Sequence, residues 1–266
     1  MSANAERHVK SAGPLLSVAV YTYNQERLVT ETLDSLLDGG AIERERGGVE
    51  LVVSDDCSTD GTVHAARSWM ERRGSAFRSC SLLTGEGNVG PVRNYTRAVR
   101  ACTGEIVKPI AGDDLFCPQG LIEAVREMAG TPGATLAFGR IAPFRDGEEA
   151  VPTGWTDEQT RFFAEDATGQ FRILASSDPL AAPGVLFRRD LFEELRLWEY
   201  GFFWMEDWPL WLLATAAGHR IAGLDQTVAR YRIHAGSTSQ RMNAPGRERV
   251  RRGMNADRRL MYDRIV

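Results

Sequence analysis

The sequence is poor in cysteine and histidine and contains no long apolar run. Its 266 residues include only four cysteines, with no CxxC pair, and four histidines. This combination excludes the common structural zinc patterns. No stretch approaches the roughly 18 consecutive apolar residues of a membrane-spanning helix. The N-terminal segment MSANAERHVK lacks the apolar core of a secretory signal. We therefore expect reduced thiols and a cytoplasmic location.

The P-loop and nucleophile-elbow motifs are also missing, and no dinucleotide-binding motif follows the first predicted strand. There is no GxGxxG after the first predicted strand, no GxxxxGK[ST] and no GxSxG. These absences argue against a dinucleotide-binding domain, a P-loop and a hydrolase nucleophile elbow. The net charge of −4 at pH 7 argues against a general nucleic-acid-binding role. With 43% hydrophobic and 26% charged residues, the composition is that of a globular protein.

Charge is distributed unevenly along the chain. Residues 241–266 contain eight arginines and three acidic residues, a net charge of +5, whereas the other residues carry −9. A basic tail on an acidic body predicts a partner or a surface of its own for the tail. Gly253 and Asn255 interrupt its apolar positions and predict two short helices. We divide the chain into an N-terminal arm (1–14), a main domain (15–240) and this tail (241–266).

Residues 15–130 alternate between strand and helix patterns. Four apolar runs typical of buried strands begin near residues 15, 50, 79 and 105. Helical spacing follows each run, over 26–37, 61–73, the segment from NVGPVRN to about Ala101, and 121–128. This alternation predicts an α/β fold with a mostly parallel central sheet and helices on both faces.

Residues 131–240 are less regular. A strand is predicted over 135–144, a strand running into a helix over 184–195, and an apolar helix over 207–218. Residues 145–170 are polar with poor periodicity, so we expect a loop or a lid there. The segment from His219 to Ser239 predicts two strand-like pieces.

Acidic residues gather where the predicted strands end. Asp55 and Asp56 follow the second strand, and Asp113 and Asp114 follow the fourth. In parallel sheets, ligands bind at the carboxyl ends of the strands. Adjacent carboxylates repel each other unless a cation neutralises them, and Mg²⁺ or Mn²⁺ accepts carboxylate ligands. A single acidic pair is commonly a solvated turn, but two pairs at one edge of a sheet favour a binding site.

A third acidic pair, Glu206–Asp207, lies among tryptophans and other apolar residues. Desolvation in such surroundings raises the pKa of a carboxyl group. A raised pKa suits a general base that works near neutral pH. Asp207 is also placed to cap the helix predicted over 207–218, and the two roles are compatible.

Five segments, in this order, resemble motifs of the family 2 inverting glycosyltransferases, which have the GT-A fold. They are YTYNQE, LVVSDDCSTDGT, NVGPVRNYTRAVRACTGEIVKPIAGDD, MEDWPLWLLATAAGHRI and YRIHAGSTS. The resemblance covers roughly residues 15–240. It implies a Rossmann-like, mostly parallel sheet, a nucleotide-binding half over about 15–130 and an acceptor half over about 131–240.

The resemblance also implies roles for individual residues. Asp207 corresponds to the base that deprotonates the acceptor hydroxyl. Asp114 corresponds to a metal ligand, in a motif where Ala111 stands in place of the first acid of the family's DxD. His234 resembles a histidine that faces the metal or the diphosphate, although a lone histidine is often structural. The positions implied to bind the nucleotide are Thr22, Tyr23, Glu26, Asp55 (uracil ring), Asn88, Gly90, Arg93, Asn94 and Asp113 (ribose).

The activity implied by the resemblance is transfer of a hexosyl or N-acetylhexosaminyl group from a nucleotide-diphosphate donor, with UDP expected, to an acceptor hydroxyl with inversion. Mn²⁺ or Mg²⁺ is the implied cofactor. The acceptor would be a saccharide, a lipid-linked sugar or another glycoconjugate of bacterial polysaccharide synthesis. The basic tail then has two interpretations. It packs on the domain or on a second subunit, as in a homo-oligomer, or it contacts anionic lipid at the inner face of the membrane.

Three other functions compete with this one. An inactive GT-A-like protein that only binds nucleotide-sugars would be expected to lack the acids, but Asp114 and Asp207 are present. A phosphoaspartyl receiver is shorter and leaves the last two motifs unexplained. A sugar-nucleotide pyrophosphorylase would need a glycine-rich, basic N-terminal loop, and no such loop is evident.

Overall fold

The computed structural model describes residues 15–45, 48–234 and 248–266, so the proposed arm over 1–14 lies outside the described residues. The strands are β1 (Leu16–Thr22), β2 (Val49–Asp55), β3 (Ser79–Thr84), β4 (Ile106–Ala111), β5 (Leu115–Phe116), β6 (Leu136–Phe144), β7 (Val185–Arg188) and β8 (Ile221–Arg232). They form one eight-stranded sheet in the order β3-β2-β1-β4-β7-β6-β8-β5. Strands from both proposed halves therefore share a single sheet.

The helices connect these strands and cover both faces of the sheet. They are α1 (Val29–Ser35), α2 (Ala41–Arg44), α3 (Thr62–Arg73), α4 (Pro91–Ala101), α5 (Pro118–Gly130), α6 (Asp157–Ala164), α7 (Ala167–Leu174), α8 (Arg189–Leu195), α9 (Trp208–Ala216) and α10 (Glu248–Arg264). The helices predicted in the first half correspond to α1, α3, α4 and α5.

The first half has the predicted parallel arrangement. β1 pairs in parallel with β2 and β4, and β2 pairs in parallel with β3. Because these strands run the same way, their carboxyl ends lie at one edge. In the second half, β6 pairs in parallel with β8, whereas β7 is antiparallel to β4 and β6. The sheet is therefore mixed but mostly parallel, as expected.

Side chains of the strands alternate between two apolar cores, one on each face. Val18 and Val20 belong to the core with α1, α3 and α5. Ala19 points the other way, into the core with α4, α8 and α9. Met261 of α10 is fully buried in this second core, so the C-terminal helix packs on the same face as α4 and α9.

Three predictions for the second half are wrong. Residues 145–170 contain α6 and the start of α7; a capping box of Thr156 and Gln159 begins α6. Residues 219–234, the described part of the segment predicted to hold two strand-like pieces, contain one strand, β8, because irregular pairing with β6 around Arg140 accommodates its polar centre. In the described part of the tail, residues 248–264 form a single 17-residue helix that continues through Gly253 and Asn255, where two short helices were predicted. Among the described residues, no helix has the length and apolarity that crossing a membrane requires.

Candidate active site

A cavity of about 800 Å³ lies at the carboxyl ends of β1, β2 and β4. Its wall combines the segment after β1, the loops after these strands, residues beyond β8 and the first turn of α10. The lining includes Tyr21, Thr22, Tyr23, Glu26, Asp56, Asn88, Asn94, Asp113, Phe203, Trp204, His234, Arg249 and Val250. The cavity therefore lies at the edge of the sheet where the sequence predicts a ligand.

The structure separates the residues singled out in the sequence into two groups. Thr22, Tyr23, Glu26, Asn88, Asn94, Asp113 and His234 line the cavity. Asp55, Gly90, Arg93, Asp114 and Asp207 lie outside the lining. Arg93 is exposed on α4. The other three carboxylates accept hydrogen bonds from neighbouring protein groups, and their contacts show what each one holds in place.

Asp55 is only 1% exposed, and its carboxylate binds groups of the protein itself. Its Oδ2 accepts a hydrogen bond from Oγ1 of Thr22 at 2.9 Å, and its Oδ1 accepts one from the N–H of Ser58 at 2.8 Å. The hydroxyl of Ser58 also donates to Oδ2. Asp55 therefore fixes the orientation of Thr22, which lines the cavity, and the shape of the loop after β2.

Asp56, the next residue, lines the cavity although it is only 2% exposed, and no role was predicted for it from the sequence. Its two carboxylate oxygens accept the N–H groups of Val89 and Gly90 at 2.8 and 2.9 Å. Burial raises its pKa, and these two hydrogen bonds oppose the rise. Gly90 has φ of +90°, and a Cβ there would lie 2.5 Å from the ring of Phe203. A glycine is therefore required where this turn meets the cavity wall.

Asn94 is buried and joins the ends of β1 and β2. Its Nδ2 donates to the carbonyl oxygens of Thr22 and Ser54, each at 3.1 Å. Arg97, one turn further along α4, donates to the carbonyl of Asp55 and to Oδ1 of Asn94. These bonds anchor α4 beneath the part of the cavity at the ends of β1 and β2.

Asp113 and His234 meet on the cavity wall. Nε2 of His234 lies 2.9 Å from Oδ2 of Asp113, and both side chains are partly exposed. A carboxylate and an imidazole side by side are a donor set that suits Mn²⁺ better than Mg²⁺, which prefers oxygen ligands alone. Within the described residues, no group of three His, Cys, Asp or Glu side chains is placed to bind one metal ion.

Asp114 points into the protein instead. It is 4% exposed, and its Oδ1 accepts the N–H of Arg232 at 2.9 Å. Burial raises its pKa well above the usual range, and the neighbouring Asp113 adds to the rise. Beneath it, the fully buried Lys108 donates to the carbonyls of Pro109 and Pro183. Burial lowers the pKa of Lys108 to about 7.

Arg232 holds the turn that carries both aspartates. It is 3% exposed, and its Nε donates to the carbonyl oxygen of Asp113 at 2.8 Å. Its guanidinium also pairs with Glu31 at 2.6 Å and with Asp146. Backbone and side chain of one residue thus fix Asp113 and Asp114 together, which orients Asp113 toward the cavity.

The acidic pair Glu206–Asp207 lies next to the cavity rather than in its lining. Both side chains are partly exposed. The hydroxyl of Tyr21, which lines the cavity, donates to Oε1 of Glu206 at 3.2 Å. Asp207 accepts the N–H of Trp208 at 2.8 Å, which confirms its predicted capping role at α9. The Tyr21 contact joins the end of β1 to the start of α9.

A further carboxyl group, Asp178, lies near this pair and had no motif to reveal it. Burial, together with the charge of Asp207, raises the pKa of Asp178 to about 8. Burial likewise raises the pKa of Glu206 to about 8, again with help from Asp207, and burial raises that of Asp207. Burial therefore disfavours the ionised form of all three carboxyl groups.

The C-terminal helix also contributes to the cavity wall, through Arg249 and Val250 in its first turn. The sequence identified this region as a basic tail but gave no sign that it reaches the cavity. Trp204 lines the cavity and packs against Gly253 of the helix, where a Cβ would lie 1.9 Å from the indole Nε1.

A model of the family described as Glycosyl transferase family 2 matches residues 17–196, about two thirds of the chain. The chain belongs to this family. Poly(ribitol-phosphate) beta-N-acetylglucosaminyltransferase TarS of Staphylococcus aureus is 34% identical over 108 residues, which cover 41% of this chain and 18% of TarS. An uncharacterized protein of Mycobacterium bovis is 28% identical over 226 residues, covering 83% of this chain and 59% of that protein. The family 2 chain thus spans less than two thirds of these curated relatives.

Solved structures confirm the GT-A, Rossmann-like fold. TarS 1–349 in complex with UDP-GlcNAc superposes with a TM-score of 0.57 at 20% identity, covering 94% of this chain and 73% of that chain. The mannosyltransferase PcManGT of Pyrobaculum calidifontis, in complex with GDP-Man and Mn²⁺, gives a TM-score of 0.59 at 24% identity, with 87% and 61% coverage. At these sequence identities, the structural similarity establishes the fold of this family 2 chain. It does not identify the substrates, which have to be argued from the residues of the site.

Proposed function

We propose that this family 2 protein is an inverting glycosyltransferase that uses a nucleotide-diphosphate sugar and a divalent metal ion. One observation carries the proposal. The cavity brings the Asp113–His234 pair together with Tyr21, whose hydroxyl contacts the acidic pair that contains the candidate base. The UDP-GlcNAc and GDP-Man complexes of proteins with the same fold support the class of donor.

Asp113 and His234 are the metal ligands that we favour, in place of the Asp114 of the sequence assignment. Asp113 faces the cavity and His234 lies beside it, whereas Asp114 is buried with one oxygen bound to the backbone of Arg232. A bound Mn²⁺ or Mg²⁺ would neutralise negative charge on the diphosphate as it leaves. Two protein ligands would suffice, because diphosphate and water oxygens could supply the remaining ligands.

Thr22, Tyr23, Glu26 and Asn88 are the residues that we propose contact the nucleotide directly. All four line the cavity, and Tyr23 is 45% exposed, so its ring is open to a base or a sugar. Asp55 acts on the same pocket through Thr22, to which it is hydrogen-bonded. The role of Arg93 stays a prediction, with its side chain exposed on α4. UDP remains the proposed nucleotide.

Asp207 is the proposed general base. As the acceptor oxygen attacks the anomeric carbon, its proton moves to the carboxylate of Asp207. The new carbon–oxygen bond forms on the face opposite the breaking bond to the diphosphate, so the configuration inverts and the nucleoside diphosphate leaves with the bonding electrons. Glu206, protonated and in contact with Tyr21, keeps the negative charge of the pair on Asp207.

The test is release of nucleoside diphosphate from a panel of UDP- and GDP-linked sugars with saccharide acceptors, followed by assignment of the anomeric configuration of the product by NMR. Asp207→Asn should reduce transfer by roughly 10²-fold or more, because general base catalysis contributes on that scale. The amide still accepts the Trp208 N–H, so folding and UDP affinity should persist. An Asp190→Asn variant, in which the changed side chain is 92% exposed, is the matched control.

The competing function is a protein that binds the donor without transferring the sugar. It predicts UDP binding equal to that proposed here and no release of nucleoside diphosphate with any acceptor. Near-normal turnover by Asp207→Asn would instead return Asp207 to a purely structural role at the start of α9.

A further inference from the structure

The C-terminal helix α10 is attached to the wall of the cavity at several points. Gly253 lies against the indole of Trp204, and Met261 is fully buried in the core. The guanidinium of Arg258 lies 5.3 Å from the centroid of the Trp208 ring, within the range of a cation–π contact. The hydroxyl of Tyr262 donates to the carbonyl of Ala175 at 3.0 Å. These contacts fix the helix beside the segment that precedes the candidate base.

Asp257, at the centre of α10, binds that segment directly. Its Oδ2 accepts the N–H groups of Phe203, Trp204 and Met205 at 3.0, 2.5 and 3.0 Å, and its Oδ1 accepts that of Phe203 at 3.2 Å. The residue is only 5% exposed. Successive backbone N–H groups form a concave site for an anion, and hydrogen bonds to a carboxylate are among the stronger ones.

The three N–H groups belong to a short loop with direct consequences for the site. Phe203 and Trp204 line the cavity, and Met205 is buried. Glu206 and Asp207 follow at once, so Asp207 is two residues from the last bound N–H, at most about 7 Å of chain. On its other side, Asp207 begins α9, whose helix is buried in the core. The acidic pair is thus held between α9 and the carboxylate of Asp257.

We infer that Asp257 is a positioning residue for the Glu206–Asp207 pair, and that α10 is part of the active site rather than an appended basic tail. The inference rests on the proposed function, because it assumes that Asp207 is the base. Removal of the carboxylate leaves the N–H groups of residues 203–205 without their acceptor and frees the loop to move. A displacement of about 1 Å at a reacting group can reduce turnover about 10²-fold.

Asp257→Asn tests the inference, with Asp263→Asn as the matched control. Both aspartates lie on α10, but Asp263 is exposed. The asparagine keeps the size of Asp257 but removes its negative charge, so the hydrogen bonds from the three N–H groups are no longer charge-assisted, and one acceptor oxygen becomes an NH₂ donor. We expect amide hydrogen exchange at residues 203–205 to quicken in Asp257→Asn, kcat to fall at least about 10-fold, and the UDP dissociation constant to change less than about 3-fold. Asp263→Asn should match the wild type in all three measurements.

Gly253→Ala provides a second variant that keeps the carboxylate. The added methyl group would overlap the indole of Trp204 and push α10 away from the loop. We expect the same quickening of exchange at residues 203–205 and the same loss of kcat with little change in UDP affinity. If circular dichroism shows that Asp257→Asn does not fold, Gly253→Ala is used to test the inference instead.

The outcomes separate the inference from the proposed function. Unchanged exchange at residues 203–205 in a folded variant overturns the inference, and so does faster exchange with full kcat. In both cases a loss of transfer in Asp207→Asn leaves the proposed function standing. If the wild type transfers no sugar from any donor, the proposed function is overturned together with the role of Asp257.

Discussion

His234 and Asp113, which are 121 residues apart in the chain, lie 2.9 Å from each other at the cavity wall. His234 follows β8 and Asp113 follows β4, so the contact joins the two halves of the sheet at the site. The neighbouring Asp114 is buried beneath this pair. Which of the two aspartates faces the cavity is therefore decided by the turn that Arg232 holds.

We predict that transfer requires Mn²⁺ or Mg²⁺ and that Asp113→Asn weakens Mn²⁺ binding in the presence of UDP about 10-fold or more, because an amide is a poorer ligand for a hard cation. Titration followed by electron paramagnetic resonance measures this directly. Asp157→Asn, at an exposed position of α6, is the control. Asp114→Asn should lower the melting temperature, because Asp114 is buried, and should leave the Mn²⁺ affinity close to that of the wild type. Full activity in excess chelator contradicts the metal requirement, and a selective loss of Mn²⁺ binding in Asp114→Asn restores the assignment made from the sequence.

Asp55→Ala should weaken UDP binding by about 1–3 kcal/mol, the range expected when a charged hydrogen-bond partner is lost. The physical reason is that Thr22 and the loop at Ser58 lose the carboxylate that orients them. Calorimetry with UDP measures the difference, and Asp190→Ala at an exposed position of α8 is the control. Equal affinities of Asp55→Ala and the wild type would make Asp55 a turn residue without a role in donor binding.

The raised pKa of Glu206 predicts a pH-dependent contribution to stability. Its usual pKa of 4.5 rises to about 8 in the folded protein. Between these values the folded state holds a proton that the unfolded state has released, so stability falls as pH increases. Glu206→Gln removes this titration. The melting temperature of Glu206→Gln, measured relative to that of the wild type, should therefore increase as pH increases from about 4.5 to 8.

A thermal melting series across this pH range makes the comparison. Glu86→Gln, in an exposed loop, should follow the wild type at every pH. A constant difference between Glu206→Gln and the wild type, independent of pH, would show that Glu206 titrates normally in the folded protein.

Replacing exposed arginines of α10 tests whether this helix acts through packing or through contact with lipid. Because Met261 is fully buried and Asp257 binds the 203–205 loop, we expect α10 to act through packing. The full-length protein should then stay in the supernatant with anionic vesicles at physiological salt. Arg251, Arg252 and Arg259 are exposed, and replacing all three with glutamine should leave the melting temperature and oligomeric state unchanged.

Attraction of α10 to anionic lipid would be strongest at low salt. Each basic residue near an anionic surface contributes about 1 kcal/mol, and salt screens this attraction. Sedimentation of the wild type with vesicles at low salt, lost in the triple glutamine variant, would establish peripheral membrane contact. A change of oligomeric state in that variant would instead place the arginines at a subunit interface.

The sequence by itself determined the first half of the fold and the edge at which the site lies. Period-2 and period-3.6 patterns are local, and so are the turn residues that end each strand, so β1 to β4 and their helices follow from short windows. The parallel order then places the pairs Asp55–Asp56 and Asp113–Asp114 at one edge without further information. The capping role of Asp207 is equally local, since it depends on the next N–H of the chain.

Tertiary structure alone decided which carboxylates reach the cavity and what holds the candidate base. Asp113 and Asp114 are indistinguishable in a motif, but burial and the N–H of Arg232 turn Asp114 inward. Asp55 and Asp56 are both buried, and only Asp56, which is bound to the turn at Val89 and Gly90, lies in the cavity lining. The contact of Asp257 with Trp204 spans 53 residues, and nothing in either segment marks the other. Such contacts depend on how α10 packs against the sheet, because a carboxylate gains these hydrogen bonds only where the fold brings unpaired N–H groups to it.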